Sequence, residues 1–208
     1  MQKKLARFLL ALGAGLLILA SSVYVAWKNA KEAPMAWREQ SYTQFQLREI
    51  DRTIEEYRKQ SNSIPRSLSQ LQSIGSFVQS EDDGQVLDGW RRPFVYWSDG
   101  TNFLVTSYGR DGKPGGKNLD CDLTDKVPKP VESLPTFGEF LHNQRTHGMI
   151  VCCVVGAVMA AISSFITVRI PDFSKRGVIT LLLSLGATLL GTFLATVIIT
   201  ALHVPSGH

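Results

Sequence analysis

"LDGWRRPFVYWSDGTNFLVTSYGRDGKPGGKNLDCDL", Leu87–Leu123, decides how the rest of the chain is read. Two runs inside it, Pro93–Trp97 and Asn102–Tyr108, are rich in aromatic and β-branched residues. Such residues suit a pleated, half-buried surface, so both are predicted strands. Ser98-Asp99-Gly100-Thr101 joins them, and its Asp-Gly step is a hairpin signal. The second strand runs straight into Ser107–Asp122, which holds four glycines, one proline and three aspartates. That density excludes regular helix or strand.

The loop leaves two readings open. Three carboxylates close together repel unless a cation offsets them. Calcium takes six to eight oxygens, and glycines let backbone carbonyls turn inward to supply some of them. The other reading is a solvated Asp/Gly turn. An EF-hand is excluded, because its alternating acids and closing Glu are missing.

Upstream of the strands, Leu47, Ile50, Ile54 and Tyr57 recur at helical spacing, with charged residues between them. This predicts an amphipathic helix that stops before Pro65. "RSLSQLQSI" allows a short second helix with Leu68, Leu71 and Ile74 inward, and "SEDDG" (80–84) is a turn. The fold class is therefore α+β, one helix packed on a small antiparallel sheet. Trp90 and Tyr96 are read as core aromatics.

The flanks are of a different kind. Phe8–Trp27, Met149–Val168 and Val178–Val204 are apolar runs without a charge. Each is long enough to cross a hydrocarbon core of about 30 Å as a helix. The expectation is three transmembrane α-helices beside the α+β unit. Lys3, Lys4 and Arg7 precede the first run, and Arg169, Lys175 and Arg176 separate the other two. Positive flanks stay cytoplasmic. The N-terminus is then inside, and residues of about 28–147 and the C-terminus are outside. The net charge of +4 follows from those flanks and gives no reason to expect a nucleic-acid partner. The first run also fits a signal peptide, but it continues through Val23, Tyr24, Val25 and Trp27, so an uncleaved anchor is the reading taken.

Pro34 should break the helix after the first span. The expected organisation is an anchor over 1–30, a domain over 31–125, a Pro-containing linker over 126–147 and a helical hairpin over 148–204. An interfacial turn at Phe137, Phe140 and Leu141 is allowed within the linker. In the hairpin, Gly148, Cys152, Gly156, Ala160 and Ser164 recur every four residues, as do Thr180, Ser184, Thr188, Thr192, Thr196 and Thr200. Ala187, Gly191 and Ala195 lie alongside. Small residues at that spacing let helices approach closely, and hydroxyls can bond across. The two ridges are expected to face each other. A polar path through the membrane would need intramembrane charged residues or histidines, and there are none, since His203 is at the outer end of the third run.

The three cysteines, Cys121, Cys152 and Cys153, form no disulfide framework, and Cys121 reads as a small filler. A Cys121–Cys152 bond has nothing further behind it. No Ser/His/Asp order, CxxC, HExxH or P-loop occurs, and His142, His147, His203 and His208 lie in the linker or at the C-terminal end. An enzyme is not expected.

Over residues of about 42–125 the chain resembles the C-terminal domain of the G-type major pseudopilin of bacterial type II secretion systems. That family shows an Asp-x-Trp-Gly-x-Pro-Tyr-x-Tyr run, a strand ending in Ser-Leu-Gly-x-Asp-Gly, and a Gly-Gly loop closed by Asp-x-Asp-Ile. Asp88, Trp90, Pro93, Phe94 and Tyr96 match the first part. Ser107, Gly109, Asp111, Gly112, Gly115, Gly116, Asp120, Asp122 and Leu123 match the second. The resemblance implies a pseudopilin fold whose last loop holds calcium. Asp111, Asp120 and Asp122 would be the carboxylate ligands, with backbone carbonyls near Tyr108 and Lys113. Pseudopilins carry one membrane segment, whose helix opens on Phe-Thr-Leu-x-Glu after a cleaved glycine. Here no Glu lies in the first span, and two further spans follow. The expectation is a non-enzymatic protein of the bacterial inner membrane, showing a periplasmic, calcium-stabilised pseudopilin-like domain to an envelope partner such as a secretion-system component. A stand-alone sensing or interaction module is the alternative.

Overall fold

The computed structural model describes residues 2–71, 85–168 and 175–202. Ile74, the turn at 80–84, Arg169, Asp172, His203 and His208 lie outside them, as does the side chain of Lys175. The chain forms α1 (Gln2–Ala30), α2 (Arg38–Ser61), β1 (Val95–Ser98), β2 (Phe103–Ser107), β3 (Leu123–Thr124), α3 (Phe137–His142), α4 (His147–Thr167) and α5 (Lys175–Leu202). They divide into two compact units. Residues 37–136 make one, and residues 1–36 with 137–208 make the other.

In the 37–136 unit the expected helix and hairpin are present. Leu47, Ile50 and Ile54 of α2 are 0% exposed. Their heptad-like spacing puts them on one stripe, and that stripe meets Phe94, Phe103, Val105 and Leu123 of the sheet region. The sheet has the order β1-β2-β3 and is antiparallel throughout. Ser98 pairs with Phe103 across the hairpin, and Ser107 pairs with Leu123. Alternation along β2 buries Phe103, Val105 and Ser107 and turns Leu104 outward. At the hairpin, Asp99 Oδ1 accepts the amides of Thr101 and Asn102 at 2.8 and 2.6 Å, an Asx turn that holds Gly100 at φ +87°. Those two amides, with the Asn102 side chain, also hold the Asp99 carboxyl below its usual range. Trp90 and Tyr96 pack on the core, and Tyr96 Oη donates to Pro65 O at 2.7 Å.

The second unit contains three helices long and apolar enough to cross a membrane: Lys3–Ala30, Gln144–Thr167 and Arg176–Leu202. The chain leaves helix geometry after Ala30, ahead of Pro34. Ala11, Ala14, Ile18, Ser22, Ala26 and Ala30 form the buried stripe of α1. This face packs on α4: a Cβ at Gly15 would lie 3.0 Å from Ala157 O and 3.1 Å from Ala161 Cβ. At the start of α1, Arg7 donates to Phe165 O near the end of α4, and its guanidinium lies 5.2 Å from the Phe165 ring centroid. A cation at a helix C-terminus meets the unbonded carbonyls there.

The expected contact between the small-residue ridge of α4 and the hydroxyl ridge of α5 is made at Gly156. Gly156 meets α5, where an added Cβ would run into the Thr196 side chain, but Gly148 has nothing within 4 Å. Ala157 and Ala161, outside that ridge, meet α1. The α5 hydroxyls mostly bond within their own helix: Thr188, Thr192 and Thr196 donate to Ser184 O, Thr188 O and Thr192 O at 2.8, 2.7 and 2.7 Å. The carbonyl one turn back is the nearest acceptor, so it wins over a partner helix. Cross-helix contacts of this kind are long, Cys153 Sγ to Thr200 Oγ1 at 3.9 Å and Thr167 Oγ1 to Thr188 Oγ1 at 3.5 Å. All three cysteines are free.

Residues 137–142 are helical, and Phe140 is fully buried. Phe137 stacks on Phe140 at 6.0 Å and meets Trp27 edge-on at 5.5 Å. Asn143 Nδ2 donates to Ala36 O at 2.6 Å, closing this end of the helical unit.

Candidate functional site: the aspartate loop and its supports

The loop of Ser107–Asp122 starts from a buried anchor. Asp88 is 1% exposed. Its Oδ1 accepts the amides of Trp90 and Arg92, both at 2.9 Å, and its Oδ2 accepts Ser107 Oγ at 2.6 Å. One carboxylate thus ties the turn before β1 to the end of β2, where the loop begins. The same turn is fastened to α2. Gln46 Nε2 donates to Leu87 O at 2.8 Å, and Gly89 N donates to Thr43 Oγ1 at 2.8 Å. Gly89 lies so close to the Glu39 carbonyl that a Cβ would collide with it. Arg91, next in the turn, sits at φ +64°. It occupies the place of the glycine in the Asp-x-Trp-Gly run.

Asp125 plays a parallel part at the far end of the loop. It is 6% exposed, and its Oδ1 accepts Val105 N at 2.9 Å while its own amide donates to Val105 O at 3.0 Å. Its Oδ2 lies 2.9 Å from Lys126 Nζ. That ammonium also reaches Asp51 Oδ1 on α2 at 2.8 Å and sits 4.0 Å from the Phe103 ring centroid. Burial alone would lower the Lys126 pKa, but its bonds to Asp51 and Asp125 outweigh this and raise it. Neither Asp125 nor Lys126 was singled out from sequence. Their one signal was position, one residue beyond the Asp-x-Asp-Leu step.

Between these anchors the loop curls on itself. Arg110 N donates to Leu119 O at 2.8 Å, and Gly112 N donates to Tyr108 O at 3.2 Å. Gly116, at φ +92°, lies against the Asp120 carbonyl, so both its conformation and its contact demand glycine. The three expected ligands have different surroundings. Asp111 Oδ1 accepts Lys113 N at 3.1 Å, a local turn. Asp120 faces Arg110 in a two-point fork, Nε to Oδ1 at 2.8 Å and Nη2 to Oδ2 at 2.9 Å. Asp122 Oδ2 accepts Gly115 N at 2.9 Å, while its Oδ1 is buried and has no partner.

Among the described residues no three His, Cys, Asp or Glu side chains come together as a metal-binding group. Asp111, Asp120 and Asp122 are therefore on one loop but not gathered around one point. What fits a hard cation is narrower. A buried carboxylate oxygen left without a donor is costly, and Asp122 Oδ1 is such an atom. A glycine-rich loop can add carbonyl oxygens of the kind calcium uses. The neighbouring Cys121 thiol is pushed up in pKa by burial, then by the charges of Asp122 and Glu132. It is poor in thiolate and unsuited to nucleophilic chemistry.

The class these features define is a protein with membrane-length helices carrying a small α+β domain, whose β2–β3 loop is closed by its own hydrogen bonds. Residues 34–126 match the family described as type II secretion system (T2SS), protein G. The match begins at Pro34 and ends at Lys126, so it takes in α2, the whole sheet and both buried aspartates. It leaves out all three membrane-length helices. No curated protein and no solved structure matches the chain.

Proposed function

We propose that the protein is a non-enzymatic inner-membrane component of a type II secretion-related assembly, displaying its 37–136 unit outside the cytoplasm. The observation that carries this reading is a coincidence of boundaries. The segment similar to the secretion family, 34–126, starts three residues before one compact unit, 37–136, and ends ten residues before that unit does; the unit is inserted in the chain between the first and second membrane-length helices. The positive flanks, Lys3, Lys4 and Arg7 on one side and Arg169, Lys175 and Arg176 on the other, support the outside placement of that insert. Calcium, bound through Asp122 with Asp120, Asp111 and carbonyls at Tyr108 and Lys113, would stabilise the loop rather than perform chemistry. The domain surface would then meet an envelope partner.

Alkaline phosphatase fused after Thr101 is expected to be active, and fused at residue 172 inactive; the reverse pattern would overturn the outside placement. Deletion of the gene in its native host is expected to trap type II substrates in the cell. Unimpaired secretion with an active fusion at Thr101 would favour the second reading, a stand-alone interaction module, which the two extra membrane-length helices support.

A further inference from the structure

Arg110 stands out because it gives Asp120 what a bound cation would give it. Its guanidinium takes both Asp120 oxygens in a fork at 2.8 and 2.9 Å. Two residues on, Asp122 Oδ1 is buried without a partner. A carboxylate held by a fork has its best lone pairs directed at the two N–H groups. While that fork is closed, Asp120 offers a cation shared with Asp122 only its less favourable lone pairs. The cost of opening it is small, since the Arg110 and Asp120 side chains are 46% and 31% exposed and water can replace the contact.

We infer that Arg110 is an internal competitor for the cation loop: its guanidinium occupies Asp120 when calcium is low and is displaced when calcium binds. The inference rests on the calcium reading above and adds to it a residue that sets affinity. The competition has a definite sign. In the calcium-free protein the fork holds the loop closed, so Arg110 contributes order there. In the calcium-bound protein the same positive charge lies close to a divalent ion and opposes it. Replacing Arg110 should thus loosen the loop without calcium and tighten calcium binding. An ordinary structural arginine would loosen both states.

The test is calcium titration of the full chain in detergent, read by melting temperature and isothermal calorimetry, for the wild type, Arg110→Gln and Asp122→Ala. Arg110→Gln is expected to melt lower than wild type in chelator and to bind calcium about two- to tenfold more tightly, the range set by losing one exposed ion pair and one repelling charge. Asp122→Ala should bind none. Wild type that binds calcium with Arg110→Gln binding equally or more weakly would overturn the competition and leave the calcium reading standing. Binding by Arg110→Gln alone would support the competition in its strongest form. No binding by either protein would sink both.

Discussion

Ile50 of α2 and Gly15 of α1 hold equivalent places, each at the middle of a helix face turned inward, yet they are opposite in size. The 37–136 unit fills its interior with Leu47, Ile50, Ile54, Phe103, Val105 and Leu123. The helical unit fills most of its helix contacts with small residues, Ala11, Ala14, Ser22, Ala26, Ala157 and Ala160, keeps larger ones such as Ile18, Phe140 and Met149 at fewer points, and sends Leu16, Leu17, Val155, Leu183 and Ile198 outward. The solvent explains the inversion. In water, burying one large aliphatic side chain contributes about 1.5–3 kcal/mol. In a bilayer the surroundings are as apolar as Leu, so size buys nothing and close backbone approach decides. Polar groups follow the same divide. The water-facing unit spends its buried carboxylates on specific knots at Asp88 and Asp125. The helical unit keeps its hydroxyls on its own carbonyls.

The largest effect expected is at Asp88. Asp88→Ala leaves two buried-side amides and the Ser107 hydroxyl without their acceptor. Each unsatisfied group costs about 1–3 kcal/mol, so the 37–136 unit should lose about 3 kcal/mol or more. Limited proteolysis of the detergent-solubilised full chain should cut within 37–136 well below the wild-type melting temperature, while the far-UV helical signal of the spans persists. Simultaneous loss of both units would break the division into two separately stabilised interiors.

A smaller effect is expected in the helical unit, and it separates packing from mere periodicity. Gly156→Leu forces a side chain into Thr196. Overpacking of this kind costs about 1–3 kcal/mol. Gly148→Leu belongs to the same four-residue ridge but meets nothing within 4 Å, and it should leave the melting temperature unchanged. Equal losses from the two variants would show that the ridge acts as a whole.

That ridge also shows where sequence reading reaches its limit. A repeat of four residues says that a helix can be approached closely but not along how much of its length, and Gly156 meets Thr196 while Gly148 meets nothing within 4 Å. The amphipathic stripe of α2 and the two-strand hairpin were legible because a long period leaves many residues to agree. The strand β3 has two residues, Leu123 and Thr124, too few to alternate. Asp88 and Asp125 were opaque for another reason. An aspartate next to glycine or lysine reads as solvated, and its burial is fixed by partners 19 and 20 residues away, Ser107 and Val105. The resemblance put Asp88 in a family run without saying what it held. The aspartate loop was visible as a loop, but the Arg110–Asp120 fork depends on how ten residues curl, which composition does not encode.

The smallest expected effect tests the turn that Asp88 organises. Arg91 lies at φ +64°, where a Cβ crowds the backbone and costs about 1 kcal/mol relative to glycine. The structure keeps it there because its amide donates to Asp88 O at 2.9 Å, and its neighbours on either side donate to the Asp88 carboxylate. Arg91→Gly should therefore leave the 37–136 unit more stable than Arg91→Ala does. Arg91→Ala removes the same side chain but keeps the Cβ, so the difference between the two variants isolates the backbone. That difference is expected to be about 1 kcal/mol, or about 4–8 °C in the melting temperature of a unit this size. Arg91→Gly melting no higher than Arg91→Ala would mean that the turn is not held in the left-handed region, and that the Asp88 knot is looser than its three short bonds indicate.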